Sequence, residues 1–136
     1  MIITLWHANL CADRYDYSKS YPKRRPYFVT AVRKGQPDLI SLAETQAPAA
    51  DSLAKTFGMK AVSYRGSSIL YNPAKFVYKR TILTETWLNS KQSHSLLGIE
   101  LAVKGSGETF NVLSTHLPPF AYRANLRKSQ MKLISQ

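Results

Sequence analysis

The sequence predicts an α/β (α+β) fold, one mixed β-sheet with flanking helices, from three observations. Short apolar segments rich in β-branched residues recur along the chain. Two early stretches carry apolar residues at helical spacing between a proline and a glycine. Neither an internal repeat nor a low-complexity segment interrupts the pattern.

Residues 2–10 open on Ile-Ile-Thr and read as a buried first strand. Residues 13–25 are polar and aromatic, with the cluster Lys23-Arg24-Arg25, and read as a loop. Pro26 then marks a helix start, Phe28, Ala31 and Val32 share a face, and Gly35 with Pro37 ends the helix. Residues 39–43 form a short apolar run suited to a buried strand. A second helix starts at Pro48, places Ala49, Leu53 and Phe57 on one face, and stops at Gly58.

Three strands are expected next, at 60–64, 67–72 and 76–83, with Asn72-Pro73 as a turn signal. Residues 84–95 give no clear pattern. Strands at 96–103 and 109–115 flank Gly105-Ser106-Gly107, a hairpin signal. From 122 to the end the pattern is helical, with Leu126, Leu133 and Ile134 on one face.

Bulk properties narrow the function. A chain of 136 residues suits one compact domain. Its 19 Lys and Arg against 8 Asp and Glu give a net charge of +11, which suits nucleic acid, a phosphorylated ligand or an acidic lipid surface. Cys11 is the only cysteine, so neither an internal disulfide nor a thiolate zinc site is expected. A lone cysteine and the absence of a signal-peptide pattern over residues 1–10 point to a reducing, cytoplasmic setting. No apolar run approaches the roughly 20 residues of a membrane helix.

A few residues stand where chemistry is possible. Glu44 follows the apolar run 39–43, at the rim where open α/β sheets place ligands, and a carboxylate there suits Mg²⁺. Spacing alone favours an ordinary solvated glutamate. Asn9 ends the first strand and is either a turn residue or a support for a metal or phosphate. His116 ends the last strand before Pro118-Pro119, as a structural histidine or a phosphate donor. Tyr64 and Arg65 offer a hydroxyl and a guanidinium to phosphate, or are plain surface residues. The clusters 23–25 and Arg123, Arg127 and Lys128 are solvated charges or a track for a phosphate backbone.

The order of these segments carries more than any one of them. An asparagine closes the first strand. Pro-Asp-Leu-Ile-Ser-Leu-Ala-Glu, Tyr-Arg-Gly-Ser-Ser-Ile-Leu-Tyr-Asn-Pro and Phe-Asn-Val-Leu-Ser-Thr-His-Leu follow in turn, and then an Arg/Gln helix. This order resembles the N-terminal half of the endonuclease/exonuclease/phosphatase (DNase I-like) superfamily, over nearly the whole chain. Two positions depart from that pattern. The family's aromatic residue directly before the asparagine is spaced away here as Trp6-His7-Ala8-Asn9, and its glutamine before the glutamate is Ala43.

The resemblance implies half of a β-sandwich with outer helices, residues 1–136 forming a single N-terminal half-domain. It implies a metal-dependent phosphodiesterase, foremost a nuclease acting on DNA or RNA, using Mg²⁺ or Mn²⁺. A phosphatase of a small ligand or lipid headgroup and a noncatalytic nucleic-acid-binding or assembly subunit are the alternatives. Glu44 would be the principal metal ligand and Asn9 its support. His116 would act at the scissile phosphate. Tyr64 and, near a position often occupied by a phosphate-contacting arginine, His94 would contact phosphate, beside the Arg65 guanidinium already noted. Arg127 and Gln130 would be structural.

The family's later Gly-Asp-x-Asn and Ser-Asp-His motifs do not occur after His116. A second polypeptide supplying that half, a longer parent chain, or a noncatalytic binding or structural piece that pairs an open sheet face with a partner or with itself are the three expectations that follow. Each makes this chain alone a poor catalyst.

Overall fold

The computed structural model describes residues 1–12, 20–87 and 94–115. Nine elements follow in order: β1 (Leu5–Asn9), α1 (Tyr21–Gly35), β2 (Leu39–Ala43), α2 (Ala47–Phe57), β3 (Lys60–Tyr64), β4 (Ser67–Tyr71), β5 (Phe76–Trp87), β6 (His94–Val103) and β7 (Thr109–Thr115). The α+β class holds. The strands, however, divide between two sheets where the sequence suggested one. A mixed sheet has the order β1-β2-β4-β3, and an antiparallel sheet has the order β5-β6-β7. The crossing is made at Asn72, whose carbonyl accepts from the Lys75 and Phe76 amides (3.1 and 3.0 Å) and whose Oδ1 accepts from Ala74 N–H at 2.9 Å. That turn sends β5 away from β4 into a new layer.

In the mixed sheet β1 runs parallel to β2, Asn9 opposite Ala43, while β4 is antiparallel to both of its neighbours. One face packs on the helices through Ile40, Leu42 and Leu70 against Val29, Val32, Leu53 and Ala54. The other packs on the second sheet through Leu39, Ile69 and Tyr71 against Phe76, Leu97, Ile99, Leu101 and Val112. The expected open inner face is therefore covered, with β7 lying across β2 and β4 and β6 across β4 and β3. Among the described residues, β1 is the strand of this sheet that extends past this cover. Its inward positions Leu5, His7 and Asn9 are exposed, Leu5 at 51 %.

α1 begins earlier than Pro26. It starts at Tyr21 with a proline in its first turn, and Pro26 lies inside it, so residues 20–25 are turn and helix where a loop was expected. Pro22 is as good a start signal as Pro26. Tertiary bonds decide between them: Arg24 Nη1 donates to Leu10 O at 2.8 Å, and Arg25 Nη2 to Thr56 Oγ1 at 2.8 Å and Ser52 Oγ at 3.3 Å. Two members of the basic cluster 23–25 thus fasten α1 to the loop after β1 and to α2. At its far end α1 meets β1 through Gly35, where an added Cβ would lie 2.1 Å from a Trp6 ring carbon. α2 matches expectation at both ends, with Pro48 in its first turn and Gly58 at φ +66° closing it. β5 and β6 extend past their expected bounds into 84–87 and 94–95. The expected helix from 122 lies outside the described residues.

Asp38, just before β2, is buried at 5 % exposure. Its carboxylate accepts from Thr4 N–H (2.9 Å) and Thr4 Oγ1 (3.2 Å) and pairs with Lys75. Burial pushes its pKa up, but the Lys75 and Thr4 hydrogen bonds outweigh burial and hold it below the ordinary 3.8. A depressed carboxylate stabilises the fold fully above its unfolded pKa, and that contribution is lost as pH falls through the folded value. Urea melts at pH 7 and pH 3 should show the wild type losing more stability on acidification than Asp38→Asn. Equal losses would show that Asp38 contributes nothing to the pH response.

Candidate active site at one rim of the sandwich

The inter-sheet interior changes character along the strands. At one end it is aliphatic and aromatic, with Phe76 and Phe110 edge-to-face at 5.4 Å. At the other end, where β1 and β2 finish and β4 begins, it is lined with hydroxyls. Ser41 Oγ donates to Ser114 Oγ (2.7 Å) between the sheets and is hydrogen-bonded to His7 Nδ1 (3.0 Å). Ser67 Oγ donates to Ser95 O (3.0 Å) and lies 2.8 Å from Ser95 Oγ. Ser41, Ser67, Ser95 and Ser114 are all buried. Sequence reading missed these residues. Their signal was a serine interrupting each apolar run at an inward-facing position, which periodicity alone scores as noise.

Glu44 sits at this polar end, directly after β2, and is 9 % exposed. Its backbone is clamped from both sides. Leu10 N–H donates to Ala43 O at 3.3 Å and Ala12 N–H to Glu44 O at 2.9 Å. Thr45 N–H donates to Gly66 O at 3.0 Å, Thr45 Oγ1 to Ala43 O at 2.9 Å, and Ser68 Oγ to Thr45 O at 2.8 Å. These bonds hold Glu44 at φ +49°, a left-handed conformation that non-glycine residues seldom adopt.

Cys11 at φ +50°, Arg65 at φ +51° and Gln36 at φ +47° share that conformation; the first two lie on the same rim, while Gln36 caps the far end of α1. Residues held in such regions persist only where surrounding structure enforces them, and they cluster at functional sites. The strain is measurable at Arg65, whose side chain is exposed and lies over the Tyr64 ring at 5.9 Å. Arg65→Gly should be more stable than Arg65→Ala by about 1 kcal/mol in denaturant melts, since both lose the guanidinium and only glycine relieves the backbone. An alanine variant as stable as the glycine variant would mean that no strain is stored there.

Most of the sequence candidates meet at this rim. Asn9 and Glu44 follow one another across adjacent parallel strands, and the Tyr64–Arg65 corner is tied to Thr45 through Gly66. Asn9 Oδ1 accepts from Cys11 N–H (3.0 Å) and Cys11 Sγ (3.2 Å), so in this arrangement the amide shapes the loop that clamps Glu44. His94 opens β6 at the same end, beside Ser95. β7 ends there at Thr115, while His116 lies outside the described residues, as do Arg123, Arg127, Lys128 and Gln130.

Among the described residues no group of three His, Cys, Asp or Glu side chains gathers as a metal cage. A buried carboxylate on a clamped backbone, one residue beyond the strand partner of Asn9, offers hard oxygen donors at this rim. It fits the way Mg²⁺ is held, through one or two carboxylates completed by water and substrate phosphate. It does not fit a structural zinc site.

The architecture and rim define a class of fold: a two-layer β-sandwich with outer helices and a carboxylate at the strand ends, the DNase I-like arrangement. Solved structures agree. The chain superposes on an endonuclease/exonuclease/phosphatase family protein from Bacteroides thetaiotaomicron with a TM-score of 0.73 and 14% identity, over 98% of this chain and 59% of that one. D. rerio TDP2 complexed with single strand DNA product gives 0.71 and 15% identity, over 97% and 52%. The mannosyl-6-phosphatase of B. thetaiotaomicron gives 0.74 and 14% identity, over 99% and 61%. The fold is therefore the endonuclease/exonuclease/phosphatase fold, and the chain spans about half to three-fifths of the length of these structures. No protein-family model and no curated protein sequence matches the chain. Among the described residues no helix is long and apolar enough to cross a membrane.

Proposed function

We propose that the chain is the metal-binding half of a phosphodiesterase, a nuclease acting on DNA or RNA. The observation that carries this reading is Glu44, a buried carboxylate clamped in a left-handed conformation beside Asn9 at the polar end of the sandwich. A bound Mg²⁺ or Mn²⁺ would supply polarisation of a phosphoryl oxygen and a nucleophilic water. The chain's own residues would bind and orient. Glu44 would hold the cation, Asn9 would fix the loop beside it, and Arg65, with Tyr64 and His94, would meet phosphate. His116 would serve the same phosphate from the end of β7.

Nucleic acid as the substrate is supported by the +11 charge and by the likeness to TDP2 complexed with single strand DNA product. A second reading, a phosphatase of a small phosphorylated ligand, rests on the likeness to mannosyl-6-phosphatase. A second polypeptide completing the site fits the uncovered inward face of β1, since β1 and β7 are the terminal strands on the same side of their sheets. A reducing, cytoplasmic location suits the lone Cys11.

The test is a panel of single-stranded and duplex DNA, RNA, mannose 6-phosphate and inositol phosphates, with Mg²⁺ or Mn²⁺ and with EDTA. EDTA-sensitive cleavage of nucleic acid supports the nuclease. Turnover confined to the small phosphoesters would replace it with the phosphatase, and turnover untouched by EDTA would remove the metal.

A further inference from the structure

α1 carries five basic residues, Lys23, Arg24, Arg25, Arg33 and Lys34, and no acidic one. Arg24 and Arg25 are spent on packing, as described above. The other face is different. On a helix of 3.6 residues per turn, Lys23, Tyr27 and Lys34 fall within about 40° of one another. Their stripe lies opposite the face that buries Val29 and Val32. Tyr27 is 80 % exposed, an unusual position for a large aromatic ring. Its neighbours one turn on are small: Ala31, and Thr30, whose hydroxyl is turned back to Pro26 O at 2.9 Å. One flank of the ring is therefore open to solvent between two ammonium groups.

An exposed ring set between cations is what single-stranded nucleic acid uses: bases stack on the ring and phosphates meet the charges. The stripe also has a direction. Arg24 anchors its first turn to Leu10, the residue after Asn9, and Gly35 at its other end packs on Trp6. The stripe spans about 16 Å from Lys23 to Lys34 at 1.5 Å per residue. It starts beside the candidate active rim and runs to the opposite end of the mixed sheet.

We infer that the outer face of α1, through Lys23, Tyr27 and Lys34, is a docking track for single-stranded nucleic acid, carrying the strand that enters or leaves the rim. This rests on the nuclease reading for its purpose but not for its test.

Anisotropy of a labelled 12-nucleotide oligo(dT) with the full chain, in EDTA and across a salt series, decides it. Tyr27→Ala should weaken binding about tenfold, as loss of a stacked base does, and Tyr27→Phe should stay near wild type. The double variant Lys23→Gln/Lys34→Gln should lower the slope of log affinity against log salt by about 1.4, from two lost phosphate contacts. Binding untouched by Tyr27→Ala would overturn the track. So would a Tyr27 effect seen on phosphatidylserine vesicles with no binding of the oligonucleotide, which would make the face a lipid surface. Because EDTA suppresses cleavage, failure of the nuclease reading leaves this result standing, and the reverse holds as well.

Discussion

Replacing Glu44 by glutamine should abolish divalent-dependent hydrolysis, by about a thousandfold, wherever that hydrolysis is measured. The substitution keeps the side chain's size and removes only its charge. Its backbone bonds to Ala12, and those of Ala43 and Thr45 to Leu10 and Gly66, do not involve the side chain, so the clamp survives. What is lost is the carboxylate proposed to hold the cation. A group that stabilises developing charge in an enclosed site is worth about 10²–10³ in rate, and a principal metal ligand belongs at the upper end. Glu44→Asp should recover little, because the clamped backbone cannot follow a carboxylate drawn back by one methylene. Circular dichroism melts of the glutamine variant close to wild type, together with lost turnover, would confirm a chemical role. Turnover within threefold of wild type would remove Glu44 from the site.

The largest loss of stability should come from Ile69→Ala, roughly 3 kcal/mol in urea melts. Ile69 is fully buried and sits in β4 between Ser41 of β2 and Val62 of β3. It is part of the cluster in which Leu39 and Tyr71 meet Phe76, Leu97 and Ile99 of the second sheet. Truncating a buried isoleucine costs about 2–5 kcal/mol, more where the surroundings cannot collapse. Both layers of a sandwich are stiffened by their ladders, so little collapse is expected here. Leu113, 38 % exposed on β7, offers the control: its alanine variant should lose less than about 1 kcal/mol. Equal losses at the two positions would mean that the sheets do not share a core.

Sequence alone revealed the elements more readily than their assembly. Pro48 and Gly58 bracket α2 because a missing N–H and a positive φ act locally, within one turn. The position of Glu44 directly after a buried strand was legible locally, but its spacing alone favoured a solvated side chain, and only the order of the segments along the chain singled it out. The division into two sheets was not legible, because a period of two reports which face is buried and not which strand lies alongside. The start of α1 was placed at Pro26, five residues late, and the bonds that fasten the true first turns join residues 14 and 31 positions apart. The hydroxyl lining was hidden for a related reason. Ser41 and Ser114 are 73 residues apart in sequence and become a pair only when the sheets close. The left-handed backbone at Glu44 and Arg65 left no mark, since neither residue is the glycine or asparagine that such a conformation usually selects.

The most direct test of the account is where a divalent cation binds this chain. Titrating Mn²⁺ into the ¹⁵N-labelled protein and reading paramagnetic line broadening needs no substrate and no partner. A metal site at this rim predicts early broadening of the amides around Asn9–Ala12, Glu44–Thr45 and Tyr64–Ser67, abolished in Glu44→Gln. Broadening centred elsewhere, or unchanged in the glutamine variant, would contradict a metal site at this rim.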